Sequence, residues 1–348
     1  DETFAKQSDA WLAEAKADPD IGGPKWDGAM KDVTRALKAG ANNLSFSLAG
    51  GTYNVQDGRY VKFVTDFRPL TAIALLRLEF ADGSTQTITT DDRWQATAGP
   101  TTFCNLFGGE DFDAGKTSGP WRQAVAWSGP GGSLRGYSHS SPPFTGHEIF
   151  APKSSREIRP GVIVHDFGQN TAMVLNLRVR GPRGASVKIT PGELLKNDGT
   201  IDRSSSGGKD VWWRYTLAGN ADGESWSPRF FYQGCRYLQV ESSPAEGAGA
   251  PELPVVEKIE SVVAHSDSAP AGDFTCSSEL FNRIRTLVRW AQRSNLAHVL
   301  TDCPHRERLG WLEQYHLNGP SLRYETDLTR LYAKTFGDMA DAQEPGGF

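Results

Sequence analysis

Between Thr301 and Trp311 the chain reads Thr-Asp-Cys-Pro-His-Arg-Glu-Arg-Leu-Gly-Trp. Two carboxylates (Asp302, Glu307), two guanidinium groups (Arg306, Arg308), an imidazole (His305), a thiol (Cys303) and an indole (Trp311) share this short window. Charge this dense beside an aromatic suits proton donation to a leaving group, with the indole as a platform for the C–H face of a sugar ring. Glycoside hydrolysis needs one carboxylic acid to protonate the leaving oxygen and a second carboxylate across the ring. The acid needs a raised pKa, from desolvation or from a nearby negative charge. Glu307, with Asp302 close in sequence, is expected to meet that condition; Glu313 is a further carboxylate just beyond Trp311. The plainer alternative is that the carboxylates and arginines pair with one another at a helix end and that Trp311 is a core residue. Composition leaves both readings open.

Other reactive residues carry weaker signals. His298, Cys303, His305 and His316 match none of the common zinc spacings, so no metal or other cofactor is expected. Cys303 has no base or orienting group identifiable from sequence, so a nucleophilic role lacks support. The run Ser128-Gly129-Pro130-Gly131-Gly132 lacks the GK[ST] ending of a phosphate loop and reads as a surface turn. Two compact polar clusters, Gly108 to Ala114 and His165 to Asn170, suit either loop caps or contacts to a ligand or a neighbouring domain.

Those residues must be held by larger elements. A length of 348 residues exceeds one ordinary core, so two or three domains are expected. A net charge of −5 without a basic stripe argues against nucleic acid as a partner. No apolar run is long enough to span a bilayer. The compartment stays open: periplasmic or extracellular if a leader has been removed, cytoplasmic otherwise. The four cysteines are scattered without a CxxC pair, so a disulfide framework is not expected.

The periodicity changes along the chain. Phe4, Trp11 and Ala15 share a helical face, and residues 32–40 read as a helical turn stopped by Gly40. Leu44, Phe46 and Leu48 alternate with polar residues as in a half-buried strand. Residues 72–80 and 85–89 flank Asp82-Gly83, a strong hairpin signal. Short strands follow at 163–164, 174–179, 187–190 and 237–241, separated by Gly/Pro/Asn turns, which indicates β-sandwich units. Ser140-Ser141-Pro142-Pro143 is the candidate boundary between them. After about residue 264 the pattern turns helical. Ser277 or Ser278 is placed to cap a helix whose Leu280, Phe281, Ile284, Leu287, Val288 and Ala291 share a face. A second helix is expected over 326–342, with Leu328, Leu331, Tyr332 and Phe336 inward.

Several motifs occur in a fixed order: Asp32-Val33-Thr34 with Leu37; Gly108-Gly109-Glu110-Asp111-Phe112-Asp113-Ala114; Asp166-Phe167-Gly168-Gln169-Asn170; Pro191-Gly192-Glu193-Leu194-Leu195 with Asp198-Gly199; Trp226-Ser227-Pro228-Arg229-Phe230 leading to Arg236-Tyr237; Phe274-Thr275-Cys276-Ser277; and Asp302 to Trp311. With these, residues from about 30 to 348 resemble the bacterial α-L-rhamnosidases of glycoside hydrolase family 78. The resemblance implies a multidomain protein, with N-terminal β-sandwich domains followed by the first helices of an (α/α)6 barrel. The expected division is 1–143, 144–264 and 265–348. It implies removal of terminal α-L-rhamnose from a glycoside, oligosaccharide or polysaccharide, by an inverting mechanism without a metal. Glu307 then maps onto the general acid, and Asp302, Arg306 and Trp311 onto sugar contacts.

This chain departs from the family pattern in three ways. The spacing from Asp302 to Glu307 is one residue shorter than in many members. Many carry Gly-Trp-x-Gly-Asp where this chain has Gly310-Trp311-Leu312-Glu313-Gln314, so Gln314 replaces an ionisable sugar contact and Glu313 is placed to compensate. The family's general base lies later in its barrel, and two helices do not close one. The chain therefore reads as truncated within the catalytic barrel, with an exposed apolar face at residues 280–291 and little activity alone. A non-catalytic carbohydrate-binding β-sandwich protein is the competing account. A homodimer is compatible with either.

Overall fold

The structure, a computed structural model, describes residues 33–347 apart from 53, 56, 67–69, 128–141 and 248–250. The expected helical face of Phe4, Trp11 and Ala15, the glycine run at 128–132 and the first half of the 140–143 boundary lie outside the described residues.

The N-terminal unit is built from short pairings. A 3-10 turn at Thr34–Ala36 precedes Gly40, whose φ is +89°. Strands β1 (Leu75–Glu79) and β2 (Thr85–Thr89) form the expected hairpin, with Gly83 at φ +80° in its turn. The expected strand through Leu44, Phe46 and Leu48 is absent. All three are exposed and Phe46 stacks instead on Trp94, because no neighbouring strand supplies ladder bonds there.

The middle of the molecule is one ten-stranded sheet. Its members are β3 (Thr101–Asn105), β4 (Gly109–Asp113), β5 (Phe144–Phe150), β6 (Ser154–Arg159), β7 (Val162–Arg180), β8 (Ser186–Gly192), β9 (Trp212–Thr216), β10 (Glu224–Trp226), β11 (Gln233–Ser243) and β12 (Val255–Ser266). The path runs β3-β4-β9-β8-β11-β7-β12-β5, with β6 and β10 also paired to β7. All ladders are antiparallel except β4 with β9. The β3–β4 hairpin precedes residue 143 yet belongs to this sheet by hydrogen bonding, so strand pairing crosses the cut expected there.

β7 organises the sheet. Two strands were expected where one of 19 residues runs through. Its first part pairs with β6 and β11, its second with β12 and β10. Between Asp166 and Thr171 the register to β11 shifts. The core-facing set, Phe167, Met173, Leu175, Leu177 and Val179, keeps one parity along the strand, while Val162 and Val164 are buried on its other face. A bulge of this kind bends the strand and raises its local twist, which lets one strand serve two halves of a curled sheet. Phe167, Met173, Leu175, Leu177 and Val179 close on Ile189, Trp213, Leu238 and Val240 to make the main core. Each fully buried aliphatic side chain there stabilises the fold by roughly 2 kcal/mol.

The last unit is helical: α1 (Glu279–Ser294), α2 (Glu313–Leu317), α3 (Gly319–Glu325) and α4 (Thr329–Ala342). Ser278 occupies the N-cap position of α1, but its hydroxyl makes no capping bond. A second core joins Leu296, Leu300, Leu322, Leu328 and Leu331, with Tyr315 and Tyr332 against it. α4 starts later than expected, because Thr326 is extended and the Asp327 carboxylate accepts the Thr329 N–H at 2.9 Å. Phe336 is exposed, not inward. Leu280, Phe281, Ile284, Leu287 and Val288 leave an exposed apolar stripe along α1.

Candidate active site

The segment 302–311 is shaped by bonds within itself. The Asp302 N–H donates to the Leu309 carbonyl at 3.1 Å, and the Leu309 N–H returns to Asp302 Oδ1 at 3.2 Å. The Glu307 N–H points at Cys303 Sγ, 3.2 Å away. Arg308 takes a left-handed conformation, φ +53°, which turns the chain between Glu307 and Leu309.

The segment also docks onto the start of β11. The Gly234 N–H donates to the Pro304 carbonyl at 2.8 Å, and Gln233 Nε2 donates to the His305 carbonyl at 2.9 Å. A Cβ on Gly234 would sit 2.5 Å from Pro304 Cγ, so only glycine admits this approach. Arg308 is buried and donates to the carbonyls of Tyr232 and Phe107 and to Gln233 Oε1, at 2.9, 3.0 and 2.5 Å.

Glu307 sits among cations. Lys62 Nζ, from the N-terminal unit, lies 3.0 Å from Glu307 Oε1, and Arg306 Nη2 lies 3.3 Å from the same oxygen. The hydrogen bond from Lys62 comes first among the causes that hold the Glu307 carboxyl below the usual range; its charge, a bond from Trp311 and Arg306 add to it. The expectation that Asp302 would raise Glu307 is corrected here. The Asp302 oxygens are engaged by the Leu309 N–H and, at 3.4 Å, by the Cys303 thiol. In this arrangement Glu307 is an ionised acceptor at neutral pH.

Beside it lies a polar chain that sequence did not reveal. Asn170 Nδ2 donates to Glu193 Oε1 at 2.9 Å, Glu193 Oε2 is 3.6 Å from His305 Nε2, and that nitrogen is 3.0 Å from the Ser205 carbonyl. Burial alone would push the His305 imidazole down. Cys303, Glu193 and the Ser205 carbonyl outweigh it and hold the ring above its ordinary value. Burial likewise opposes ionisation of Cys303, but His305 and the backbone N–H groups of residues 306–308 outweigh it and lower the thiol.

The predicted residues divide clearly. Glu307, Arg306 and Trp311 are brought together, and Trp311 is 44 % exposed, which leaves its ring face open. Asp302 holds the loop closed. Glu313 begins α2 and is exposed. Gln314 Oε1 accepts the Asn318 amide at 2.6 Å, which directs it along the helix. Lys62, Gln233 and Glu193 went unrecognised as partners of the loop, and of these Glu193 alone lay in a quoted motif, Pro191 to Leu195; Arg308 was visible only as a charge within the loop itself. Among the described residues, no three His, Cys, Asp or Glu side chains converge as a metal site.

A curled β-unit followed by helices, with a charged and aromatic loop at the seam, is a multidomain architecture of the glycoside hydrolase type. Three family models match in order: the α-L-rhamnosidase N-terminal domain over 28–129, the bacterial α-L-rhamnosidase concanavalin-like domain over 156–265, and the bacterial α-L-rhamnosidase six-hairpin glycosidase domain over 269–348. The chain belongs to the bacterial α-L-rhamnosidase family. It is 30% identical over 332 residues to an α-L-rhamnosidase of Streptomyces avermitilis, a match covering 91% of this chain and 31% of that protein. Among solved structures it resembles α-L-rhamnosidase from Dictyoglumus thermophilum, with TM-score 0.70 and 32% identity over 78% of this chain and 31% of that one. It also resembles the Streptomyces avermitilis α-L-rhamnosidase complexed with L-rhamnose, with TM-score 0.65 and 29% identity over 78% of this chain and 27% of that one. The chain thus spans about a third of the length of the relatives it matches.

Proposed function

We propose that this chain forms part of an enzyme that releases terminal α-L-rhamnose by an inverting acid/base mechanism, with Glu307 as general acid. The observation that carries this reading is the convergence of Glu307, Arg306 and Trp311 on one half-buried loop, braced from both β-units. Trp311 stacks the sugar, while Asp302, Arg306, Glu313 and Gln314 bind its hydroxyls or shape the subsite. The helices from 279 onward form the first part of an (α/α)6 barrel, and the general base comes from a carboxylate outside these residues. For inversion the two carboxyls stand roughly 6.5–9.5 Å apart, leaving room for water. A lowered Glu307 implies that the proton is taken up under acidic conditions or when substrate displaces solvent. In the longer protein, Glu307→Gln should cut turnover of an aryl α-L-rhamnoside by on the order of 100-fold or more, with little change in KM. Near-normal turnover removes Glu307 from the acid role.

One observation favours a second reading. An ionised carboxylate flanked by Lys62, Arg306 and an indole is also a good hydroxyl acceptor for sugar binding without chemistry. Rhamnose affinity in this chain that falls in Glu307→Gln, together with full turnover of the same variant at saturating substrate in the longer protein, would select it.

A further inference from the structure

We propose that Lys62 is a positioning residue of the acid site: it clamps one oxygen of Glu307 and stabilises the carboxylate that proton donation leaves behind. The inference rests on reading Glu307 as the acid. It gives the N-terminal unit a direct part in the reaction.

The placement of Lys62 is determined on both sides. Before it, the Arg59 guanidinium lies between the rings of Phe103 and Trp212, 4.1 and 4.0 Å from their centroids, and pairs with Asp111. The Tyr60 N–H donates to the Asp210 carbonyl at 3.3 Å. Tyr60 and, after Lys62, Phe63 set their edges against Phe107, with centroids 6.1 and 5.2 Å away. Phe107 is fully buried, and its carbonyl accepts Arg308, the residue after Glu307. One buried residue therefore references both partners of the Lys62–Glu307 pair. An ordinary surface lysine has no such bracing.

Both cations, Lys62 and Arg306, approach Oε1. Protonating that oxygen would set a hydrogen against two cations, so the transferable proton resides on Oε2. As that proton leaves, negative charge grows on the carboxylate and the attraction to Lys62 strengthens. Starting from protonated Glu307, an interaction stronger in the transition state than before it accelerates the step, while the same interaction confines that protonated form to acidic pH. The titratable groups facing Glu307 are Lys62 and Tyr60 from the N-terminal unit and Arg306 and Cys303 from its own loop.

The test is a carboxyl 13C NMR titration of the glutamate-labelled chain. The Glu307 signal is assigned by its loss in Glu307→Gln. In Lys62→Met the Glu307 midpoint should move up, and in Lys62→Arg it should return most of the way. In the longer protein the alkaline limb of kcat/KM for an aryl rhamnoside should shift to higher pH in Lys62→Met and be rescued by Lys62→Arg. An unmoved Glu307 midpoint in folded Lys62→Met and Lys62→Gln overturns the proposal while leaving the acid role standing. Full turnover by Glu307→Gln overturns the acid role, and the assignment of Lys62 falls with it.

Discussion

Arg308 shows how much one side chain does here. Its guanidinium is buried without a carboxylate partner among its described bonds, and burial pulls it below the ordinary arginine value. Three carbonyl-type oxygens and the ring of Phe231, 4.9 Å away, offset the lost hydration. An ammonium cannot reproduce the fork that reaches Phe107, Tyr232 and Gln233 together. Arg308→Lys should therefore destabilise the chain by about 2–4 kcal/mol, read as a lower urea midpoint, because buried acceptors lose their donor. An unchanged midpoint would mean that the loop does not depend on this anchor. The sequence brought Arg308 into view only as one charge in a dense run. Glu307, Arg306 and Trp311 were legible because they are neighbours along the chain. Lys62 was not, because it arrives from another unit without a motif, and its charge reverses the pKa that adjacency to Asp302 had suggested.

At the scale of elements, the parallel contact between β4 and β9 depends on Gly109. Its φ is +123°, and a Cβ there would lie 1.8 Å from the Trp212 carbonyl oxygen. Gly109→Ala must displace backbone, so it should cost more than about 3 kcal/mol and lower the melting temperature sharply. Gly83→Ala is the control. It also has positive φ but faces open space, so strain alone, about 1–2 kcal/mol, is expected. Equal losses in the two variants would show that the clash at Trp212 relaxes freely. The hairpin around Gly83 was readable because its partners and its turn are contiguous. The β4–β9 pairing was not, since parallel contacts join distant segments and leave no local pattern. Alternation at Leu44, Phe46 and Leu48 misled for the related reason that period two describes a strand only where a neighbour completes its ladder. A bulge had the opposite effect in β7, where the polar run Gly168-Gln169-Asn170 inside the register shift made one strand read as two.

Across the whole molecule, the β-unit and the helical unit meet at His265. Its ring stacks on His147, centroids 3.6 Å apart, while Arg293 of α1 donates from Nε to His265 Nε2 at 3.0 Å and pairs with Glu148. Arginine only donates, so Nε2 is the acceptor and the ring proton sits on Nδ1, 2.9 Å from the Ser266 carbonyl. Protonating Nε2 would break the bond to Arg293 and add a cation beside it. Burial, with His147 and Arg293, holds His265 down at about 4. The folded value therefore lies below the unfolded one, about 6.5. Above that value the ring is neutral in both states and its contribution is constant. As pH falls from about 6.5 towards 4, the unfolded chain takes up a proton that the folded chain refuses, so stability declines. Below about 4 both states are protonated and this group's effect levels off. The full loss is on the order of 3 kcal/mol. His165 and His298 are also lowered by burial and act in the same direction, so the diagnostic quantity is the difference between proteins. His265→Gln should flatten the fall in unfolding free energy between pH 6.5 and 4 relative to the parent chain. Parallel curves would place the acid sensitivity of the seam elsewhere, on the ion pair of Arg293 with Glu148.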